Sequence, residues 1–185
     1  MRAKQAGFLC VVAEASYVFH AEHKTVQKMP EREQLFARNR RWCEEKWGRR
    51  LRAAWPRFSM PRSGSLELRA WLELLIEWAR RRMLVYIYAP TPRGMDAKAL
   101  FRSVQLIPHA NIQWRSIPVT GASWAATWGI LQRQKKPFDL IVASDARWAR
   151  TMERLRGFHR AEVVLQDDTT RLLALWQRFR FQYSS

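Results

Sequence analysis

Apolar and polar positions change rhythm along this chain. From Met83 onward, short apolar runs alternate with stretches whose apolar residues recur every three or four positions. Met83–Tyr88 (MLVYIY), Asn111–Val119 (NIQWRSIPV), Phe138–Ala143 (FDLIVA) and Ala161–Gln166 (AEVVLQ) read as strands, and Pro118 ends or bends the second. The periodic stretches read as helices: Asp96–Val104; Ala122–Arg133 with Trp124, Trp128 and Leu131; a helix capped by Asp145 with Trp148, Met152 and Leu155 on one face. The last, capped by Asp167 or Asp168, carries Leu172, Leu173, Trp176 and Phe179 on one face. Strands alternating with helices predict an α/β fold, a small, mainly parallel sheet with helices on both faces. A thioredoxin-like and a flavodoxin-like sheet order can both be written over these elements.

Upstream, Pro30 with Glu31 and Glu33 opens a basic amphipathic helix predicted to reach about Ala54. Phe36, Cys43, Trp47, Leu51 and Ala54 form one face; Arg38, Arg41, Arg49 and Arg52 form another. Gly48 weakens its middle by roughly 1 kcal/mol. The stretch from Trp55 to Ser65 holds Pro56, Pro61 and Gly64 and breaks the helix. Ser65 then caps Leu66–Arg80, whose apolar face is Leu68, Trp71, Leu72, Leu75 and Ile76. Three parts follow: an N-terminal segment 1–30, the basic helix and connector 31–64, and an α/β domain 65–185.

The first part has a basic start and a short apolar run, Phe8–Ala13. It reads either as a signal peptide cleaved after Ala21 or as an added strand or buried helix of the fold. The first alternative places the protein in the bacterial periplasm, the second in the cytoplasm. No run approaches the ~18–20 apolar residues of a membrane span.

Charge changes the picture most. The formal net charge is +17, and arginine far outnumbers lysine. An anionic partner is one consequence; a merely solvated basic surface is the other. Arginine and tryptophan interleave over Arg40–Trp55, a mixture that suits phosphate contacts plus base stacking. The candidate nucleic-acid or anion ligands are Arg38, Arg41, Arg49, Arg50, Arg52 and, in a turn before a helix, Arg93.

Catalytic and metal chemistry find little footing. Cys10 and Cys43 make no CxxC, and four compact zinc ligands are absent. The turn APTPRGMD matches neither GxGxxG nor GxxxxGK[ST], and the residues around Ser144 are not GxSxG. His20, His23, His109 and His159 show no further metal pattern. Asp96, Asp145, Asp167 and Asp168 lie near strand ends, where convergent carboxylates hold Mg²⁺ in phosphoryl-transfer enzymes. Each also sits where a helix needs a cap. No cofactor is expected.

LVYIYAPTPRGMDAKALF, IQWRSIPVTG and MERLRGFHRAEVVLQDD resemble the strand, active-site turn, helix and later elements of the thioredoxin-like domain in DsbC/DsbG-type disulfide isomerases. The resemblance covers about half of the chain. It implies a member without redox chemistry, because Pro90–Met95 carries no cysteine and no proline stands near Glu162. Thioredoxin-like proteins with lost cysteines occur among accessory components of bacterial conjugative and integrating elements, and EREQLFARNRRWCEEKWGRRLRAAWP is similar to their helical segments. Three functions follow as expectations. The first is a non-catalytic interaction protein with protein partners in a larger assembly, such as conjugative transfer machinery. The second is a nucleic-acid-binding protein using the Arg38–Arg57 region. The third is a Mg²⁺-dependent phosphoryl-transfer enzyme.

Overall fold

The structure is a computed structural model that describes residues 31–91, 97–133 and 135–181. The chain divides into two compact units, one up to Arg41 and one from Trp42. What is described of the first is helical, the beginning of α1 (Arg32–Trp47). The second contains the sheet.

Helix α1 stops well short of Ala54. Gly48 follows it with φ 72°, a left-handed conformation that glycine adopts at little cost and that ends a helix. The chain then enters a strand, β1 (Arg52–Pro56). Leu51, Ala53, Ala54 and Trp55 are fully buried. A run apolar on both faces is what a central parallel strand requires. The segment expected to close a helix and break is therefore the middle of the sheet.

The remaining elements follow in the expected alternation: α2 (Leu66–Arg80), β2 (Leu84–Pro90), α3 (Ala97–Arg102), β3 (Ile112–Ile117), α4 (Ala122–Leu131), β4 (Leu140–Ala143), α5 (Ala146–Arg154), a single turn α6 (Arg156–His159), β5 (Glu162–Leu165) and α7 (Thr169–Phe181). The predicted caps are made. Ser65 Oγ accepts from Leu68 N at 3.1 Å, Asp145 from Trp148 N at 2.8 Å, and Asp168 from Arg171 N at 3.0 Å. Strand β3 ends immediately before Pro118.

Among the described residues all strand pairs are parallel, in the order β3-β2-β1-β4-β5. The chain starts in the centre, moves to one edge, crosses back and moves to the other. The α/β class with a parallel sheet covered on both faces is the one the sequence predicts. Its fifth strand is Arg52–Pro56; the alternative candidate, Phe8–Ala13, lies outside the described residues. One face of the sheet packs Trp55, Val85, Ile87 and Val142 against α2, α3 and α7. The other packs Ala54, Tyr86, Tyr88, Ile141 and Val163 against α4 and α5.

Helix α4 turns an unexpected face inward. Ala122, Ala126, Thr127 and Ile130 are buried, whereas Trp124 is 73 % exposed and Trp128 57 %. The ring of Tyr88 lies against Gly129, so the helix rests on the sheet through small residues and carries its tryptophans outside. Among the described residues, no helix is long and apolar enough to cross a membrane.

Candidate functional site

In a doubly wound sheet the strand order reverses at one place, and a crevice opens there beyond the carboxyl ends of the strands. Here the reversal lies between β1 and β4. A groove of about 740 Å³ opens beside it. Phe58, two residues after β1, and Asp145, two residues after β4, both line it. Helices α4 and α5 form its sides.

The groove is aromatic. Trp148 is buried in it and meets Phe58 edge to face, with centroids 5.4 Å apart. Its Nε1 donates to Thr127 Oγ1 at 3.1 Å, and that hydroxyl donates to the Ser123 carbonyl at 2.8 Å. Thr127 is thereby satisfied as donor and acceptor, and the Trp148 ring is held in one orientation. Leu131 and Leu155 complete the apolar lining, and Trp124 and Trp128 stand one turn apart along one side.

Arg147 lines the opposite side and begins a basic row on α5. Arg147, Arg150 and Arg154 recur at three- and four-residue steps on α5 and are exposed, while Trp148 and Met152 point inward. Among the described residues no carboxylate pairs with these three arginines; the nearby ion pairs belong to Arg156, with Glu153 and Glu162. Asp145 stays at the groove's end as the cap of α5.

The arginines singled out by the sequence do not share one helix face. Arg38 and Arg41 lie on α1, exposed. Arg49 follows the helix, pairs with Asp139 at 2.8 Å and donates to the Phe179 carbonyl at 2.9 Å. Arg50 donates to Asn111, and Arg52 opens β1. Arg93 and Asp96 lie outside the described residues, as do His20, His23 and Cys10.

Asp145 and Asp168 spend their carboxylates on caps, and Asp167 is exposed. Among the described residues no three His, Cys, Asp or Glu side chains come together as a metal site. His159 is a buried strut. Its Nδ1 accepts from Ala161 N at 3.0 Å, so Nε2 carries the proton and donates to the Met152 carbonyl at 2.8 Å.

The loop after β1, from Arg57 to Ser65, occupies the place of the phosphate turn in dinucleotide-binding sheets. Its only glycine, Gly64, comes at its far end. Ser65 caps α2, and Glu67 in the first turn pairs with Arg57 at 2.5 Å. A carboxylate already occupies the position that favours a phosphate.

Phe58, Ser123, Thr127 and Arg147 escaped the sequence reading as site residues. The three- and four-residue steps of Arg147, Arg150 and Arg154 beside Trp148 and Met152 were the available signal. Comparison with known proteins finds no matching family, no matching curated protein and no matching solved structure.

Proposed function

We propose that this chain is a non-catalytic binding module that seats an acidic, amphipathic helix of a protein partner in the α4–α5 groove. One observation carries the reading: exposed Trp124 and Trp128 line an apolar concavity together with Arg147, and Arg150 and Arg154 continue a basic row along the exposed side of α5 next to it. The volume lies in the range of about 300–1,000 Å³ typical of ligand clefts. Tryptophan and arginine are the side chains most often found as binding anchors. A groove between two helices accepts the apolar face of a third, and glutamates beside that face meet the arginines.

Nucleic acid is the less favoured occupant of this groove. Its lining is largely apolar, and Asp145 places a negative charge at its end. A phosphodiester chain needs a basic track along its whole path. An accessory role in a larger assembly, implied by the resemblance to components of conjugative elements, suits a module of this kind.

The test is a titration of the full-length protein, followed by tryptophan fluorescence, with a designed helical peptide. Leucines at i, i+3, i+4 and i+7 give it an apolar face, and glutamates fill the rest. Saturable binding is expected, lost in Trp124→Ala/Trp128→Ala and weakened in Arg147→Glu/Arg154→Glu. Equal binding of a lysine-bearing version of the peptide overturns the acidic specificity. An oligonucleotide that outcompetes the peptide at physiological salt overturns the choice of partner.

A further inference from the structure

Around Tyr86 of β2, two arginines approach the ring and a third lies diagonal to it in register. The register fixes two of them. Tyr86 pairs with Ala54 of β1 and with Gln113 of β3. Arg52 lies two residues before Ala54, and Arg115 lies two residues after Gln113. Side chains alternate along a strand, so Arg52 and Arg115 share the face of Ala54, Tyr86 and Ile117. Each is a diagonal neighbour of Tyr86, at a spacing of about 7–8 Å that a long side chain spans. Arg115 Cζ lies 5.9 Å from the Tyr86 ring centroid. Arg133, just beyond α4, comes from above, its Cζ 4.1 Å from the Tyr86 centroid and 5.5 Å from that of Phe138.

Among the described residues, no carboxylate pairs with the side chains of Arg52, Arg115 or Arg133. Asp139 is nearby, but it accepts the Arg52 backbone N–H at 2.8 Å and pairs with Arg49 at 2.8 Å. Arg115 also donates to Gln113 at 3.5 Å, and a bound anion would offset the mutual repulsion of the guanidinium groups. Stacking on Tyr86 and Phe138 accounts for Arg133 as a cover over the aromatic core. It does not account for the approach of Arg115, from the neighbouring strand, to the same ring.

We infer that Arg52, Arg115, Arg133 and the Tyr86 hydroxyl form a binding site for a phosphate-type oxyanion. The guanidinium fork matches the geometry of phosphate oxygens, and a phenol adds a donor. The charges are felt at Tyr86 itself. Burial pushes its phenol up, yet contact with Arg133 and the charges of Arg133, Arg52 and Arg115 bring it below the ordinary tyrosine value. At neighbouring Tyr88 burial prevails and the phenol is raised. This site is independent of the groove, and each stands or falls alone.

Full-length protein is titrated with inorganic phosphate against chloride at matched ionic strength. Thermal stability and phenolate absorbance are the two readouts. Saturable stabilisation by phosphate is expected, together with a rise in the apparent pKa of Tyr86 as the bound anion offsets the arginines. Tyr86→Phe removes the absorbance change. Arg115→Gln, on the exposed edge strand, is expected to weaken phosphate at least tenfold, as is Arg133→Gln. If Arg133→Gln fails to fold, Arg115→Gln decides. A phosphate effect no larger than that of chloride, or equal affinity in Arg115→Gln, overturns the inference. A single-stranded oligonucleotide as competitor identifies the source: displacement of phosphate assigns the site to a nucleic-acid backbone, and no displacement assigns it to a small phosphate compound.

Discussion

The Tyr88 ring occupies the space that a side chain at position 129 would fill. A Cβ on Gly129 would stand 2.8 Å from Tyr88 Cε1, and the Tyr88 hydroxyl donates to the Gly129 carbonyl at 3.3 Å. The ring is buried and meets Phe138 edge to face, so it has little room to yield. Gly129→Ala gains roughly 1 kcal/mol of helix propensity. Overpacking costs about 1–3 kcal/mol, and with a confined ring the cost wins. The variant is expected to be less stable by about 1 kcal/mol in denaturant titration. It should also bind the acidic peptide more weakly, because α4 carries Trp124 and Trp128 outward with it.

Asp145 distinguishes a cap from a metal ligand. Its carboxylate accepts the Trp148 N–H at 2.8 Å at the start of α5. Asp145→Ala should cost about 1 kcal/mol, and Asp145→Asn much less, since asparagine caps nearly as well. Neither difference should change when Mg²⁺ is added. A Mg²⁺-dependent stabilisation of the parent that Asp145→Asn abolishes would favour the phosphoryl-transfer reading instead.

The Arg49–Asp139 pair fastens the start of β1 to the start of β4. Asp139 takes Arg49 Nη1 at 2.8 Å and the Arg52 N–H at 2.8 Å, and both side chains are mostly covered. Charge-assisted bonds contribute about 1.5–3 kcal/mol when a partner is removed. Asp139→Ala is expected to fall in that range and to cost more than Arg49→Ala, because it also strands a strand N–H. A double-mutant cycle over the two positions should return a coupling of at least ~0.5 kcal/mol.

Helix caps and buried strands were legible because each depends on a local pattern. Ser65, Asp145 and Asp168 precede periodic runs, and MLVYIY and FDLIVA are apolar on both faces. Strand β1 was not legible. Leu51 and Ala54 fit a helical face as well as a strand, and the arginines beside them continued the basic stripe of α1. Only Gly48 marked the change, and a glycine's left-handed turn is invisible until tertiary pairing selects it. The groove was hidden for a related reason. Periodicity sends Trp124, Trp128 and Leu131 to the core, but the bulk of Tyr88 on the adjacent strand admits only the small face of α4. Without β1, moreover, Phe58 had no place near Asp145, and the switch point itself could not be located.

His109 supplies a pH-dependent component of stability. Burial, then the charges of Arg80 and Arg50, lower its pKa below the ordinary histidine value. Its Nδ1 accepts the Asn111 N–H at 3.1 Å, so the folded state holds the neutral ring with its proton on Nε2. Below the unfolded value of about 6.5, the unfolded chain binds a proton that the folded chain still refuses. The contribution is therefore present in full above that value and is lost as pH falls through the lower, folded pKa. Denaturant titrations of the parent at neutral and mildly acidic pH should show this loss, and His109→Gln should remove it from the profile. Arg50→Gln takes away one of the two repelling charges, so the His109 resonance should titrate at higher pH in that variant. An unchanged midpoint in Arg50→Gln would leave burial and Arg80 as the whole cause.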